Sequence, residues 1–254
     1  MEKPKDLGTQ PTWQAQSLRF TGFALKPPAI ADQTWWRELT GRPPRKRTSE
    51  PEAGRQQDEG PFEDGELVLA LEPSRIDLKL CPVLEPTARL EVLGPYPRAC
   101  VPFVSTVQAF LRRPDTPPLH RIALGCVLHY PVATLQEGYQ VIMQMAPGLR
   151  LDGENVSDVF FQINRSRIST SYPGDGLRIN RLTKWGVAQI HLVSIVAGGP
   201  SVRQLLPGEL AVRLELDINT DGNFQKELDR DKLPPLFEEF VQLADEIAMK
   251  GDQP

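Results

Sequence analysis

The chain has 254 residues, of which 40% are hydrophobic and 24% charged, and its formal net charge is -4. These values are typical of a globular protein with a core of its own. The acidic balance argues against a protein that works mainly by binding nucleic-acid phosphates. The sequence contains neither an apolar leader nor an apolar run of about 18 residues, so we predict neither a signal peptide nor a membrane span.

The three cysteines, Cys81, Cys100 and Cys126, are odd in number and include no CxxC pair. This pattern favours free, buried thiols in a reducing compartment over a disulfide framework. We therefore expect a cytoplasmic protein. No phosphate-binding, dinucleotide-binding or metal-binding motif is present in the sequence, so no cofactor is indicated.

The first 65 residues predict little regular structure. Residues 1–17 are polar and predict a flexible tail. A strand is expected at 17–25, followed by a short helix that ends at Gly41. The next stretch, 41–65, carries many charges and hardly any large apolar side chain. Because such a segment buries too little apolar surface to offset its loss of conformational entropy, we expect a mobile insertion.

Order is predicted to resume with a β-hairpin. Leucine or isoleucine alternates with other residues in "LVLALEPSRIDLKL", and Pro73 lies where a turn joins the two arms. A helix is expected at 102–113, with Phe103, Val107 and Phe110 on its apolar side. Together with the first strand, these elements form an N-terminal half that we place at 18–116.

The C-terminal half, 117–254, predicts a similar mixture of strands and helices. Strands are expected at 121–132, 158–172, 176–182, 185–196 and 209–219. The capping-box pattern from Thr134 to Glu137 predicts the start of a helix, and an amphipathic helix closes the chain before Gly251. Runs of strands with few helices between them predict an α+β fold with a mainly antiparallel sheet, organised as two halves or as one continuous domain.

Acid or amide side chains recur at every second position late in the chain, at Asp217, Asn219, Asp221 and Asn223. This spacing resembles a calcium loop, whose oxygen ligands also alternate. The match fails at the end, because the carboxylate of Glu227 falls at the eleventh position of the loop and not at the twelfth. We interpret the segment as a strand running into a turn, with a metal site as the alternative.

Two catalytic alternatives stay open. Asp77 and Lys79 share one side of a predicted strand, and with Asp64 they could hold a metal ion and stabilise a phosphate transition state in a nuclease. Cys100 or Cys126 could pair with a histidine as nucleophile and base, since such partners need not be close in sequence. Alternating charges on a solvated strand explain the first set equally well.

A basic set lies on the predicted strands of the C-terminal half. If these strands pair, they present a basic face with one aromatic side chain, which suits an anion, a nucleic acid or an acidic protein. An ordinary solvated sheet face is the alternative. The candidate binding residues are Arg165, Arg167, Arg178, Arg181, Lys184 and Trp185.

Four segments taken in order, "LALEPSRIDLKL", "YPRACVPFVSTVQAFL", "RIALGCVLHY" and "VRLELDIN", resemble a sporadically distributed, uncharacterised prokaryotic family of similar length. The resemblance covers residues 66–250. It implies no activity and no residue roles, because the family has none assigned. Its sporadic distribution implies an accessory protein of a mobile or defence locus.

The absence of a catalytic motif favours a non-enzymatic binding or scaffold protein. We expect it to act through a protein partner or by self-association, without a membrane and without a cofactor. A metal-dependent hydrolase or nuclease and a nucleic-acid-binding protein are the alternatives.

Overall fold

The computed structural model describes residues 12–28, 34–83, 89–151, 156–174, 176–194, 204–224 and 226–253. At positions 190–194 and 204–207 it describes the backbone alone. No helix within these ranges is long and apolar enough to cross a membrane.

The N-terminal half consists of strands and two helices. Thr40 of the first helix is followed by Gly41 in the left-handed conformation, which ends the helix as the sequence predicts. In chain order the elements are β1 (Gln14–Ala24), α1 (Trp35–Thr40), β2 (Lys46–Glu50), β3 (Arg55–Phe62), β4 (Gly65–Glu72), β5 (Arg75–Cys81), β6 (Gly94–Pro95) and α2 (Tyr96–Leu111).

The C-terminal half has the same kind of composition. Its first helix begins at a capping box, because the Thr134 hydroxyl accepts from the backbone N–H of Glu137 and the Glu137 carboxylate accepts from that of Ala133. In chain order the elements are β7 (Leu119–Val132), α3 (Leu135–Met145), β8 (Phe160–Asn164), β9 (Arg167–Ile168), β10 (Arg178–Ser194), β11 (Gln204–Thr220) and α4 (Leu233–Lys250).

The strands of both halves form one antiparallel sheet. Its order is β2-β3-β4-β5-β1-β7-β11-β10-β8, and the two short strands β6 and β9 pair with β1 and β10. The halves meet at the ladder between β1 and β7, in which Arg19 lies opposite Gly125 and Phe20 opposite Leu124. The sheet therefore runs without interruption from one half into the other.

The two halves repeat one topology about this central ladder. Outward from it, the first half places β1, β5, β4 and β3, and the second half places β7, β11, β10 and β8. Each half also places one helix after its first strand and one after its last hairpin. Apart from the edge strand β2 of the first half and the short strands β6 and β9, each half thus follows a β-α-β-β-β-α order, a repeat that the sequence does not reveal.

The helices pack on one face of the sheet. Alternating side chains of every central strand point to this face and are buried, among them Phe20, Leu78 and Leu124. Phe20 packs edge-on against Phe237 of α4, and Trp35 of α1 against Phe110 of α2. The opposite face of the sheet carries no helix of the described residues and is lined by polar and charged side chains.

The predicted α+β class and the C-terminal helix are confirmed, although the protein is richer in strands than in helices. Several boundaries were wrong. The predicted strands at 176–182 and 185–196 are one strand, β10, and the predicted strand at 158–172 is two short ones. The division into halves at 18–116 and 117–254, with one continuous domain as the alternative, stays a prediction.

The prediction of a mobile insertion at 41–65 is wrong. β2 and β3 pair in this segment, and every second side chain of β3 is buried. The polar composition suggested disorder, but one of the acids, Asp58, is buried and its charge is paired. Its carboxylate accepts two hydrogen bonds from Arg47, at 2.6 and 2.8 Å, and one from Gln56 at 3.1 Å. A buried charge that is paired in this way is tolerated in a packed hairpin.

The predicted tail at 1–17 is also wrong over its last residues. β1 begins at Gln14, and both Trp13 and Ala15 are buried. The indole N–H of Trp13 donates to the carbonyl of Ala248 in α4 at 2.7 Å, which joins the start of the sheet to the last helix. Residues 1–11 lie outside the described part of the chain.

Candidate functional site

Two concave surfaces lie on opposite sides of the sheet. The first, which we call the groove, runs between α2 and α4 and has a volume of about 710 Å³. The second, which we call the trough, crosses the uncovered face of the sheet and has a volume of about 880 Å³. The groove is mostly apolar, whereas charged side chains are frequent in the trough, so the two surfaces suit different ligands.

The groove is formed because α2 and α4 pack antiparallel. The side-chain amide of Gln108, near the end of α2, donates to the carbonyl of Pro234 at the start of α4 at 2.9 Å. At the other end, Trp13 and Tyr96 lie beside Ala248. The helices diverge enough between these contacts to leave an open channel.

Apolar side chains line the groove and are exposed there. Val101 of α2 is 71% exposed and Met249 of α4 is 49% exposed, and the half-buried Val104 lies between the helices. An apolar patch of this kind, in a concavity rimmed by polar residues, is typical of an interaction site.

Polar groups converge at one place in the groove. The Tyr96 hydroxyl is buried and makes no hydrogen bond of ordinary geometry to any described residue. It lies close to the carboxyl of Asp245, and burial, followed by the charge of Glu238, raises the pKa of this carboxyl. Burial also raises the pKa of Tyr96 well above its ordinary value.

The acids of the groove have no cation beside them. Glu238 is exposed, Asp245 is half-buried, and neither forms an ion pair within the described residues. Both lie on α4, seven residues apart, and therefore on one side of the helix about 10 Å from each other. The groove thus combines an apolar floor with two unneutralised carboxyl groups.

The trough is centred on Arg19. The central row of the sheet places Lys79, Arg19, Gly125 and Asp217 on neighbouring strands. A Cβ at Gly125 would lie 3.7 Å from Nε and 3.8 Å from Nη2 of Arg19, so the guanidinium extends over this glycine. Arg19 is exposed and makes no ion pair with any described residue.

The acids of the trough, in contrast, all have partners. Glu91 is not free. The others pair as follows: Glu59 with Lys46 at 3.4 Å, Glu66 with Arg45 at 2.6 Å, Glu215 with Arg213 at 2.9 Å and with Lys184 at 3.7 Å, and Asp217 with the amide of Asn219 at 3.0 Å. Within the described residues, the trough therefore contains a cation without an ion pair, Arg19, and a carboxylate, Asp217, whose partner is a neutral amide.

The basic set from the sequence does not form one face. Arg165 pairs with the buried Asp252 at 2.9 Å, and Arg167 pairs with the buried Glu239 of α4 at 3.2 Å. Arg178 donates to the Ser166 hydroxyl at 2.8 Å, and the buried Arg181 donates to the carbonyl of Gln253 at 3.0 Å. Most of these cations fasten the C-terminal segment and the 165–171 loop to the sheet.

Lys184 and Trp185 lie on opposite faces of β10, because successive side chains of a strand alternate. Lys184 faces the trough and pairs with Glu215, whereas Trp185 is fully buried under the helices and packs against Trp13 at 6.1 Å between ring centroids. The predicted basic face with one aromatic side chain is therefore wrong as a single surface.

Asp77 and Lys79 share the trough side of β5, as predicted, but the Asp77 carboxylate already has hydrogen-bond and ion-pair partners. Its carboxylate accepts from the Thr21 hydroxyl at 2.5 Å and pairs with Arg75 at 2.6 Å. Asp64 pairs instead with Arg98 of α2 at 2.8 Å. The three residues do not come together as the nuclease set that the sequence left open.

Asp217 and Asn219 lie on the trough side of β11, and Asp221 and Asn223 lie in the turn that follows. The Asp221 carboxylate accepts from the backbone N–H and the side-chain amide of Asn223, both at 3.0 Å. This is the Asx turn that such a sequence favours, which agrees with our interpretation of a strand running into a turn. Within the described residues, no three acid, histidine or cysteine side chains gather as metal ligands.

The thiols are poor candidates for a nucleophile. Burial, followed by the charge of Asp245, raises the pKa of Cys100 to about 12, and burial also raises the pKa of Cys126 well above its ordinary value. Burial, with Arg213 nearby, lowers the pKa of His129 to about 4. Cys126 lies opposite the buried Leu18 and Leu216, on the side of β7 that the helices cover, whereas His129 lies on the other side of this strand and forms a hydrogen bond with Gln16 at 3.1 Å. A protonated thiol is not the reactive form.

No family model matches the chain, and no curated protein matches it. The family resemblance and the expected cytoplasmic location therefore stay predictions.

Sequence reasoning missed the groove altogether. A signal was present, since the α2 sequence continues its apolar residues beyond one stripe, at Val101 and Val104 as well as at Phe103 and Val107. A helix that is apolar on more than one side must be covered on each side or left partly exposed. Whether the second apolar side of α2 is covered or exposed depends on how α4 packs beside it.

Proposed function

We propose that the protein is a non-enzymatic binding protein that docks an amphipathic, basic helix of a partner protein in the groove between α2 and α4. The observation that carries this proposal is the groove itself: an open apolar channel that contains two carboxyl groups without cations. The absence of a catalytic motif in the sequence is consistent with it.

The shape of the groove supports a helical occupant. Its lining residues extend over 96–105 of α2 and 238–249 of α4. At 1.5 Å per residue, these stretches are about 14 and 16 Å long, which accommodates roughly two to three turns of a helix. A helix laid in such a channel presents apolar side chains at positions i, i+3, i+4 and i+7.

The charges of the groove support a basic occupant. A lysine or arginine at positions i and i+7 of a docked helix matches the spacing of Glu238 and Asp245. A cation beside Asp245 would be especially favourable for binding, since burial disfavours the charged form of this carboxyl group unless a cation is near. The exposed carboxyl group of Glu238 and the half-buried one of Asp245 would repel an acidic helix.

A binding titration with synthetic peptides tests the proposal. A labelled helical peptide of about 18 residues with a leucine stripe and lysines is compared, by fluorescence anisotropy, with a peptide that carries glutamates in place of the lysines. We expect the lysine peptide to bind and the glutamate peptide not to. Val101→Gln is expected to weaken binding about tenfold, since it removes an apolar contact at the centre of the groove.

The chain offers matched controls. Ala109 is exposed on α2 but does not line the groove, so Ala109→Gln should leave binding unchanged. Glu238→Gln should weaken binding and reduce its dependence on salt, whereas Glu246→Gln should do neither, because Glu246 lies outside the groove and already pairs with Lys250. Equal binding of both peptides would contradict the proposal. A dimer that Val101→Gln abolishes would assign the groove to a second copy instead.

A further inference from the structure

The two central cations of the trough lie side by side. Arg19 of β1 and Lys79 of β5 are directly opposite each other in the ladder and point to the same uncovered face. Like charges at directly opposed positions repel, because their Cβ atoms are only about 5 Å apart. A sheet that keeps such a pair at its centre gains when an anion neutralises it.

The two side chains diverge and leave space between them. The guanidinium of Arg19 extends over Gly125, whereas the ammonium of Lys79 is close enough to the Cys81 thiol for its charge to lower the pKa of that thiol against the effect of burial. Ser17, two residues before Arg19, also lines the trough there and adds a hydroxyl group. Two cations and a hydroxyl are the groups that recognise an oxyanion.

The surroundings limit the size of the ligand. Acids flank the centre on both sides, Glu59 and Glu66 on one and Asp217 and Glu215 on the other, and the partner of Asp217 is the neutral amide of Asn219. A nucleic-acid strand would bring several phosphates across these carboxylates and be repelled. The trough therefore suits one oxyanion with room around it, and not a polyanion.

We propose that the trough is a binding site for a single oxyanion, a carboxylate or a phosphate group, held by Arg19 and Lys79. This site is on the opposite side of the sheet from the groove, and the proposal is independent of the helix-docking function. The oxyanion belongs either to a free small molecule or to an acidic side chain of a protein partner, since both present the same group.

Thermal unfolding at constant ionic strength tests the site. Inorganic phosphate, malonate and a short peptide with a single glutamate are each titrated at millimolar concentration, with chloride as the reference salt. A ligand that binds only the folded state raises Tm, and we expect a rise of about 5 °C or more at saturation for at least one of the three. A response to the peptide alone would assign the site to a partner's carboxylate, and a response to phosphate or malonate would assign it to a free anion.

Substitutions that remove a single charge distinguish binding at this site from a general effect of anions on stability. Arg19→Gln and Lys79→Gln should each abolish the rise in Tm, because each removes one of the two cations that hold the oxyanion. Both side chains are exposed, so these substitutions should leave the core intact. Arg112→Gln, an exposed cation at the end of α2, should keep the rise. The proposal is overturned if no ligand raises Tm, or if the rise is the same in Arg19→Gln as in the unaltered protein.

Discussion

At the scale of single residues, buried charged side chains hold loops against helices. Glu239 of α4 is 3% exposed and accepts hydrogen bonds from the hydroxyls of Ser169 and Thr170 and from the backbone N–H groups of Thr170 and Ser171, at 2.7 to 3.0 Å. Burial alone would raise the pKa of Glu239, but these bonds outweigh it and lower the pKa to about 2. One carboxylate therefore holds the 169–171 loop against the last helix.

This arrangement predicts acid sensitivity. Because the pKa of Glu239 is lower in the folded state than its ordinary value of 4.5, the stabilisation is complete above about pH 4.5 and is lost as the pH falls towards 2. Glu239→Gln should lower the free energy of unfolding by roughly 2–3 kcal/mol at neutral pH. Urea unfolding at a series of pH values from 7 to about 3 measures both effects.

The neighbouring Glu238→Gln is the matched control, since Glu238 is exposed and outside this network. It should keep the steep loss of stability with acid that Glu239→Gln lacks. If Glu239→Gln lost stability with acid as steeply as the unaltered protein does, Glu239 would not be the group responsible.

At the scale of elements, the end of α4 depends on a backbone conformation that only glycine adopts easily. Gly251 has φ of +77° and ψ of -172°, and a Cβ there would collide with the carbonyl oxygen of Met145 at the end of α3. The next residue, Asp252, donates its backbone N–H to that same carbonyl at 2.7 Å and pairs with Arg165. Gly251 thus brings the ends of two helices together.

We expect Gly251→Ala to destabilise the protein by about 3 kcal/mol or more, from backbone strain and the collision together. Gly41→Ala is its control, because Gly41 also has a positive φ, +73°, but has nothing within 4 Å of an added Cβ. The control should cost only about 1 kcal/mol. Equal losses of stability in chemical unfolding would show that the contact with Met145 contributes nothing.

At the scale of the whole molecule, the two β-α-β-β-β-α units share one sheet and one core. The ladder between β1 and β7 lies in its middle, and Phe20 of the first unit packs against Phe237 of the second. Separating the units would expose the long edges of β1 and β7, which are prone to pair with another chain.

We therefore predict that fragments 1–116 and 117–254, produced together, purify as a one-to-one complex, and that each aggregates when it is produced alone. Co-purification with a tag on one fragment measures this association. Two fragments that are each monomeric, folded and indifferent to one another would show that the units are independent domains.

The sequence predicted the elements that have a local signal and missed those that depend on contacts between distant segments. The β4–β5 hairpin, the start of α3 and the end of α4 were predicted correctly, because each has a local signature: alternating leucines, a capping box and a terminal glycine. The β2–β3 hairpin was missed, since its buried Asp58 is stabilised by Arg47 across the hairpin, a pairing that composition does not show. The groove and the trough were missed for a similar reason, because both arise only when distant segments pack together.

The central claim is that a basic, amphipathic helix of a partner docks between α2 and α4. The most direct test is site-specific photo-cross-linking in cells that produce the protein naturally, with a photoreactive residue at Val101 or Met249, or, as references, at Ala109 and at Lys79 in the trough. We expect a cross-linked product from the two groove positions and none from Ala109, and mass spectrometry should locate the groove product in a basic, amphipathic segment of one partner. Products from Lys79 but not from Val101 or Met249 would contradict the claim and place the partner on the opposite face of the sheet.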